Sequence, residues 1–219
     1  MKLFEAKQFL NDKFYSNLKE RITEFKPSQI KAIDAGLFDK KNLLVCTPTG
    51  SGKTLIAEMA MLNNIYNKKG KGVYVVPLKA LASEKYKEFQ KNYPDLKIAL
   101  SIGDTDSSDN YLERYDIIFT TSEKLDSLIR HKSPFIYSIG TLVVDEVHLL
   151  NDPSRGPTLE IVITLLRQIL KNCQYIYLSA TIGNEKTLAD WLDSELVHDT
   201  WRPVRLDKGI YRDGKIRFY

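Results

Sequence analysis

The sequence predicts an α/β fold: a doubly wound, mostly parallel sheet flanked by helices, with a short β extension at its C-terminal end. Three observations carry this prediction. Short runs rich in Val, Ile and Tyr recur between longer stretches with helical spacing. Each run is almost continuously apolar, as strands are when crossover helices cover both faces of a parallel sheet. The order strand, helix, strand also repeats along the chain, the pattern of a doubly wound sheet rather than of segregated α and β regions.

Taken in order, residues 1–24 are read as an N-terminal helical segment; they mix acids and bases through their apolar positions and lack a signal-peptide core. Pro27 marks a helix start. The strand runs follow: "NLLVC" at 42–46, "GVYVVP" at 72–77, "KIALS" at 97–101, "YDIIFTT" at 115–121, "TLVVDE" at 141–146 and "YIYLSAT" at 175–181. Among the helices, Thr158 to Leu170 has the clearest stripe: Leu159, Val162, Ile163, Leu166, Ile169 and Leu170 recur at three and four residues, with Arg167 and Gln168 outside it. "NKKGKG" at 67–72 reads as a solvated loop. After Trp191 the pattern changes to short alternating runs, and "RDG" between "GIY" and "KIRFY" signals a terminal hairpin or small extra sheet. The domains expected are therefore residues 1–24, a main lobe at 25–200 and a β hairpin at 201–219.

The chain has 219 residues, enough for one large core. With 43% hydrophobic and 27% charged residues it matches a globular composition, and no apolar run approaches the roughly 20 residues of a membrane span, so no membrane partner is expected. Cys46 and Cys173 each lie in or beside an apolar run and read as buried thiols, which fits an intracellular, reducing compartment. A net charge of +4 neither demands nor excludes nucleic acid.

In open parallel sheets ligands sit at the carboxyl ends of strands, so the residues just after each run carry the chemistry. After the first comes "TPTGSGKT", Thr47 to Thr54. Gly50 and Gly52 let the backbone turn its N–H groups toward phosphate oxygens, and the following helix adds its N-terminal dipole. Lys53 supplies a point charge for the β- and γ-phosphates, and the Thr54 hydroxyl suits Mg²⁺. The bland alternative is a tight strand-to-helix turn that happens to end in Lys-Thr. A second carboxylate must come from another strand end, and "TLVVDEVH" offers it. Asp145 would hold the metal and Glu146 would polarise the attacking water. His148 reads as a core or surface histidine unless its position two residues after Glu146 draws it in. Upstream, in "EFKPSQIKAI", Gln29 offers a side-chain amide suited to an adenine edge, although alone it would read as a surface residue.

These blocks carry a resemblance. "FKPSQ", "TPTGSGKT", "VPLKALASEKY", "TTSEKLDSLIR", "DEVHLL" with "DPSRGPTLE", and "LSAT" followed by "WL" and "WRPV" occur in the order found in superfamily 2 helicases. The chain resembles the archaeal Hjm-type DNA repair helicases most, relatives of the Ski-like and polymerase-theta helicases, from about Phe25 to Val204. His148, where DEAD-box proteins carry Asp, is one reason.

The resemblance implies a RecA-like phosphate-loop fold that uses ATP and Mg²⁺. Pro27 and Gln29 resemble the adenine-reading motif; Thr49, Gly50, Ser51, Gly52, Lys53 and Thr54 resemble motif I; Asp145, Glu146 and His148 resemble motif II. Ser179 and Thr181 look like the motif that couples hydrolysis to the nucleic-acid track. Pro77 and Lys79, with Thr121, Ser122 and Lys124, resemble the motifs that line the strand path; for Arg155 a phosphate contact and a structural salt bridge are both open. Hydroxyls, a helix N-terminus near Ser122 and Lys79 hold phosphates without reading bases.

The expected partners are single-stranded or forked DNA and a second RecA-like lobe, from the same gene or a separate polypeptide. Nothing before Tyr219 resembles motifs IV to VI, so the expectation is a first lobe alone, slow because a missing arginine finger costs about 10³–10⁵ in rate. An RNA helicase lobe and a nucleotide-gated binding module without turnover are the alternatives.

Overall fold

The computed structural model describes residues 1–103, 109–205, 207–212 and 214–218. Seven parallel strands form one sheet: β1 (Leu43–Cys46), β2 (Lys71–Val76), β3 (Ile98–Ser101), β4 (Ile117–Thr121), β5 (Ile139–Val144), β6 (Gln174–Ser179) and β7 (Glu195–His198). Their order is β3-β4-β2-β5-β6-β1-β7. The six apolar runs all become strands of this sheet. Alternation assigns their two faces: Leu43 and Val45 of β1 and Tyr74 and Val76 of β2 join one core, and Leu44, Cys46, Val73 and Val75 join the other.

Helices cover both faces. α1 (Asp12–Arg21), α2 (Pro27–Asp34), α3 (Lys53–Tyr66) and α4 (Lys79–Asn92) supply the first core, while α5 (Ser122–Arg130), α6 (Gly156–Ile169) and α7 (Glu185–Leu192) supply the second. Residues Leu3–Phe9 form a 3₁₀ turn, and Phe14 and Leu18 of α1 are fully buried in the first core. The α6 stripe is buried at Leu159, Val162, Ile163, Leu166 and Leu170, but Ile169, at the margin of the stripe, is 38% exposed. Both cysteines are buried.

One strand of the sheet is absent from the six apolar runs. Glu195–His198, inside the expected main lobe, pairs in parallel with β1, Leu44 opposite Leu196 and Val45 opposite Val197, and closes the sheet as its seventh strand. The hairpin follows it, as β8 (Gly209–Arg212) and β9 (Lys215–Phe218) in antiparallel register. Asp213 of the "RDG" turn and Tyr219 lie outside the described residues.

Candidate nucleotide and nucleic-acid sites

Because every strand of the main sheet runs the same way, the segments after β1, β2, β4, β5 and β6 emerge along one edge. The loop after β1 is built as its glycines require: Gly50 has φ +82° and Gly52 φ +95°, both in the left-handed region. Thr47, at the loop position where a leading glycine is common, is fully buried and shares a 2.7 Å hydrogen bond with the Ser51 hydroxyl, bracing the loop from inside. Ser28 of α2, which the sequence reading did not single out, donates to Ser51 O at 2.8 Å. Thr49 and Gly50 stand exposed at the crest. The Lys53 ammonium crosses the loop and donates to Thr47 O at 2.7 Å and Pro48 O at 3.2 Å. Burial lowers its pKa, opposed by the charges of Glu146 and Asp145, which places all three groups in one electrostatic site.

Pro27 occupies the first turn of α2, and Gln29 is buried, not on the surface. Its amide oxygen accepts from Lys26 N at 2.8 Å and its nitrogen donates to Gly52 O at 3.2 Å, so the glutamine ties the α2 N-terminus to the phosphate loop.

At the end of β5, burial and then the Glu146 charge raise the Asp145 pKa, against a hydrogen bond from Tyr74 Oη to Asp145 Oδ2 at 3.0 Å. Glu146 has φ +52°, a conformation a non-glycine residue holds only when its surroundings impose it. His148 Nδ1 lies 3.3 Å from Glu146 Oε2, at ion-pair distance but without hydrogen-bond geometry. Lys85 of α4 is a second residue the sequence reading missed. Its ammonium donates to Thr54 Oγ1 at 3.3 Å and its charge also reaches Asp145. A hydroxyl and a buried carboxylate thus already gather one cation, the donor chemistry a hard divalent ion requires. Nothing local marks Lys85; it matters only because α4 lies beside this edge. At the end of β6, the buried Ser179 hydroxyl sits opposite Cys46 of β1 with no nitrogen or oxygen partner among the described residues, and Thr181 is exposed beyond it.

A groove runs beside this site, lined by Pro77, Lys79, Thr121, Lys124, Ser127 and Arg155 among others. A smaller cleft at the acidic strand end, lined by Pro77, Ser122, Asp145 and Arg155, shares Pro77 and Arg155 with the groove. Thr121 caps α5, its hydroxyl accepting from Lys124 N at 3.4 Å. Arg155 makes no ion pair among the described residues and faces both spaces. Lys124 differs from expectation: its side chain is 4% exposed and its ammonium lies 2.9 Å from Asp109 Oδ2, so its charge is neutralised within the wall.

An all-parallel sheet, a phosphate loop after β1, an acidic pair after β5 and a groove beside them define a nucleotide-binding lobe of the RecA-like class. The sequence profile of the DEAD/DEAH box helicases matches residues 26–189, and the chain belongs to that family. It is 52% identical over 205 residues to the ATP-dependent DNA helicase Hel308 of Methanococcus vannielii, covering 90% of this chain and 27% of that protein. Its identity to the Methanocaldococcus jannaschii protein of the same name is 53% over 216 residues, covering 94% of this chain and 18% of that one. For the Pyrococcus abyssi protein the values are 49% over 207 residues, 94% and 28%. These relatives fit the Hjm-type resemblance, and the chain spans less than a third of their length. A crystal structure of the DUF1998 helicase MrfA bound to DNA shares the fold, with a TM-score of 0.74 at 23% identity over 88% of this chain and 30% of that one. No helix among the described residues is long and apolar enough to cross a membrane.

Proposed function

We propose that this chain is the first motor lobe of an ATP- and Mg²⁺-dependent DNA helicase acting in DNA repair and recombination. The observation that carries the reading is the cleft shared by Asp145 and the groove: the group that senses the nucleotide's metal and the residues Pro77, Ser122 and Arg155 line one space. A change at the phosphates can therefore move the walls of a strand path directly. Thr49 to Thr54 cradle the triphosphate, with Lys53 exchanging its carbonyl partners Thr47 and Pro48 for phosphate oxygens. Pro27 sets the turn from which Gln29 reads the adenine edge. Thr54 and Asp145 would hold Mg²⁺, displacing the Lys85 ammonium. Bound Mg²⁺ supplies charge neutralisation at the phosphates. Glu146 accepts the proton of the attacking water, and His148 orients Glu146 from 3.3 Å. Ser179 and Thr181 link this centre to the track. Along the groove, Pro77, Lys79, Thr121, Ser122 and Arg155 hold the DNA backbone, and the buried Lys124 positions α5.

The test has two parts. The 219-residue chain is titrated with ATP and Mg²⁺ by calorimetry, and Lys53→Ala is expected to abolish binding. Adding a separately produced second lobe from a Hel308 relative is expected to restore hydrolysis that single-stranded DNA stimulates. Nucleotide binding with no restored turnover would sink the motor reading, and stimulation by RNA alone would sink the DNA assignment.

A further inference from the structure

Beyond β7 the chain turns back along the phosphate loop. Asp199, 5% exposed, accepts from Trp201 N at 2.7 Å and pairs with Lys31 of α2 at 3.1 Å. Burial opposes its ionisation, but these donors outweigh burial and hold its carboxyl below the usual range. Lys31 also donates to His198 O at 3.0 Å. Residues 198–201 are thereby fastened to the helix that carries Gln29. The Lys26 ammonium then lies over the Trp201 indole, 5.8 Å from the ring centre, while donating to Gly50 O at 3.0 Å. Pro203 packs on the loop crest, since a Cβ on Gly50 would meet its ring at 3.4 Å. Between them, Arg202 is close enough to Lys53 for its charge to disfavour that ammonium.

A 36% exposed indole on the rim between the α2 N-terminus and the phosphate loop has the shape and place of a base platform. Gln29 can read only the edge of a base, and its amide ties it to Gly52. Affinity for the flat purine face needs an aromatic or apolar plane. Lys26 now covers that plane by a cation–π contact, which at an exposed site is weaker than base–aromatic stacking, so exchange of the ammonium for a base is favourable.

Resting on the nucleotide-site reading above, we propose that Trp201 is the base-stacking residue of the site, and that residues 199–203 form the wall that retains the adenine. The tail after β7 is then part of the nucleotide pocket.

The chain has two tryptophans, so Trp191→Phe leaves Trp201 as the only indole. In that background, ADP titration is expected to change tryptophan emission with the same midpoint as calorimetric binding. Trp201→Ala is expected to weaken ADP and ATP by about tenfold while leaving inorganic tripolyphosphate unchanged, and Trp201→Phe is expected to keep most of the affinity. Far-ultraviolet circular dichroism and the melting midpoint confirm that each variant is folded. An emission that stays constant while calorimetry shows ADP binding overturns the proposal. So does an equal loss for ADP and tripolyphosphate, which would make Trp201 a brace for the loop alone. If the unaltered chain binds neither ligand, the nucleotide-site reading itself fails and takes this inference with it.

Discussion

The helix that Lys53 opens is anchored by a buried charge whose removal has a calculable cost. Glu58 of α3 is 1% exposed, accepts from Arg21 of α1 at 3.0 Å and from Tyr93 Oη at 2.8 Å, and has its pKa raised by burial despite the guanidinium. Arg21→Met would leave a carboxylate in the core with only the phenol. Breaking a buried pair from one side costs about 3–5 kcal/mol; with the Arg21 side chain 29% exposed, the lower end, about 3 kcal/mol, applies. For a chain of this size that is a fall of about 6–12 °C in melting midpoint.

The loss must depend on pH in a defined sense. A carboxyl with a raised folded-state pKa binds more protons folded than unfolded, so stability falls as pH rises from the ordinary Glu range through the folded value. Losing Arg21 raises that value further. The variant's deficit should therefore be largest near pH 7.5 and shrink near pH 4.5, where Glu58 is increasingly protonated in both states. Adding Glu58→Gln should recover about 2 kcal/mol at pH 7.5, because a neutral amide needs no counter-charge. Urea unfolding of the unaltered chain and the two variants at both pH values measures this. A deficit under about 1 kcal/mol, a deficit equal at the two pH values, or no recovery with the glutamine would refute the reasoning.

Two further outcomes follow from local geometry. Gly52→Ala places a Cβ against the Gln29 amide at a φ of +95°, so about 2 kcal/mol of stability and most nucleotide affinity should be lost; Gly183→Ala, where a Cβ meets nothing within 4 Å, should stay within about 0.5 kcal/mol by thermal unfolding. Lys124→Met should destabilise the fold by about 2 kcal/mol by removing the buried ammonium paired with Asp109; unchanged stability with weakened binding to single-stranded DNA, read by fluorescence anisotropy, would instead make Lys124 a direct backbone contact.

The strands were legible because burial on both faces leaves a compositional mark, and β1, β2, β4, β5 and β6 are buried at nearly every position. β7 left no such mark: as an edge strand it pairs with β1 alone and fully buries only Val197, so its four residues resemble the alternating tail beyond them. The α6 stripe was legible except at Ile169, whose place at the margin of the stripe leaves it 38% exposed while Leu170 beside it is buried. In the site the same division holds. Gly50, Gly52, Lys53 and the Asp145–Glu146 pair act through spacing along the chain, so their pattern is readable before the fold is known. Ser28 under Ser51, Tyr74 on Asp145, Lys85 on Thr54 and Asp109 on Lys124 act across elements brought together only by the strand order. β5 lies two places from β1, with β6 between them, so the acidic pair meets the phosphate loop across a neighbour that itself ends in Ser179. The buried Ser179 hydroxyl, opposite Cys46, therefore stands between the phosphate loop and the acidic strand end, where a shift of either loop changes its surroundings. That position is a consequence of strand order, which the residue's own neighbours in sequence could not reveal.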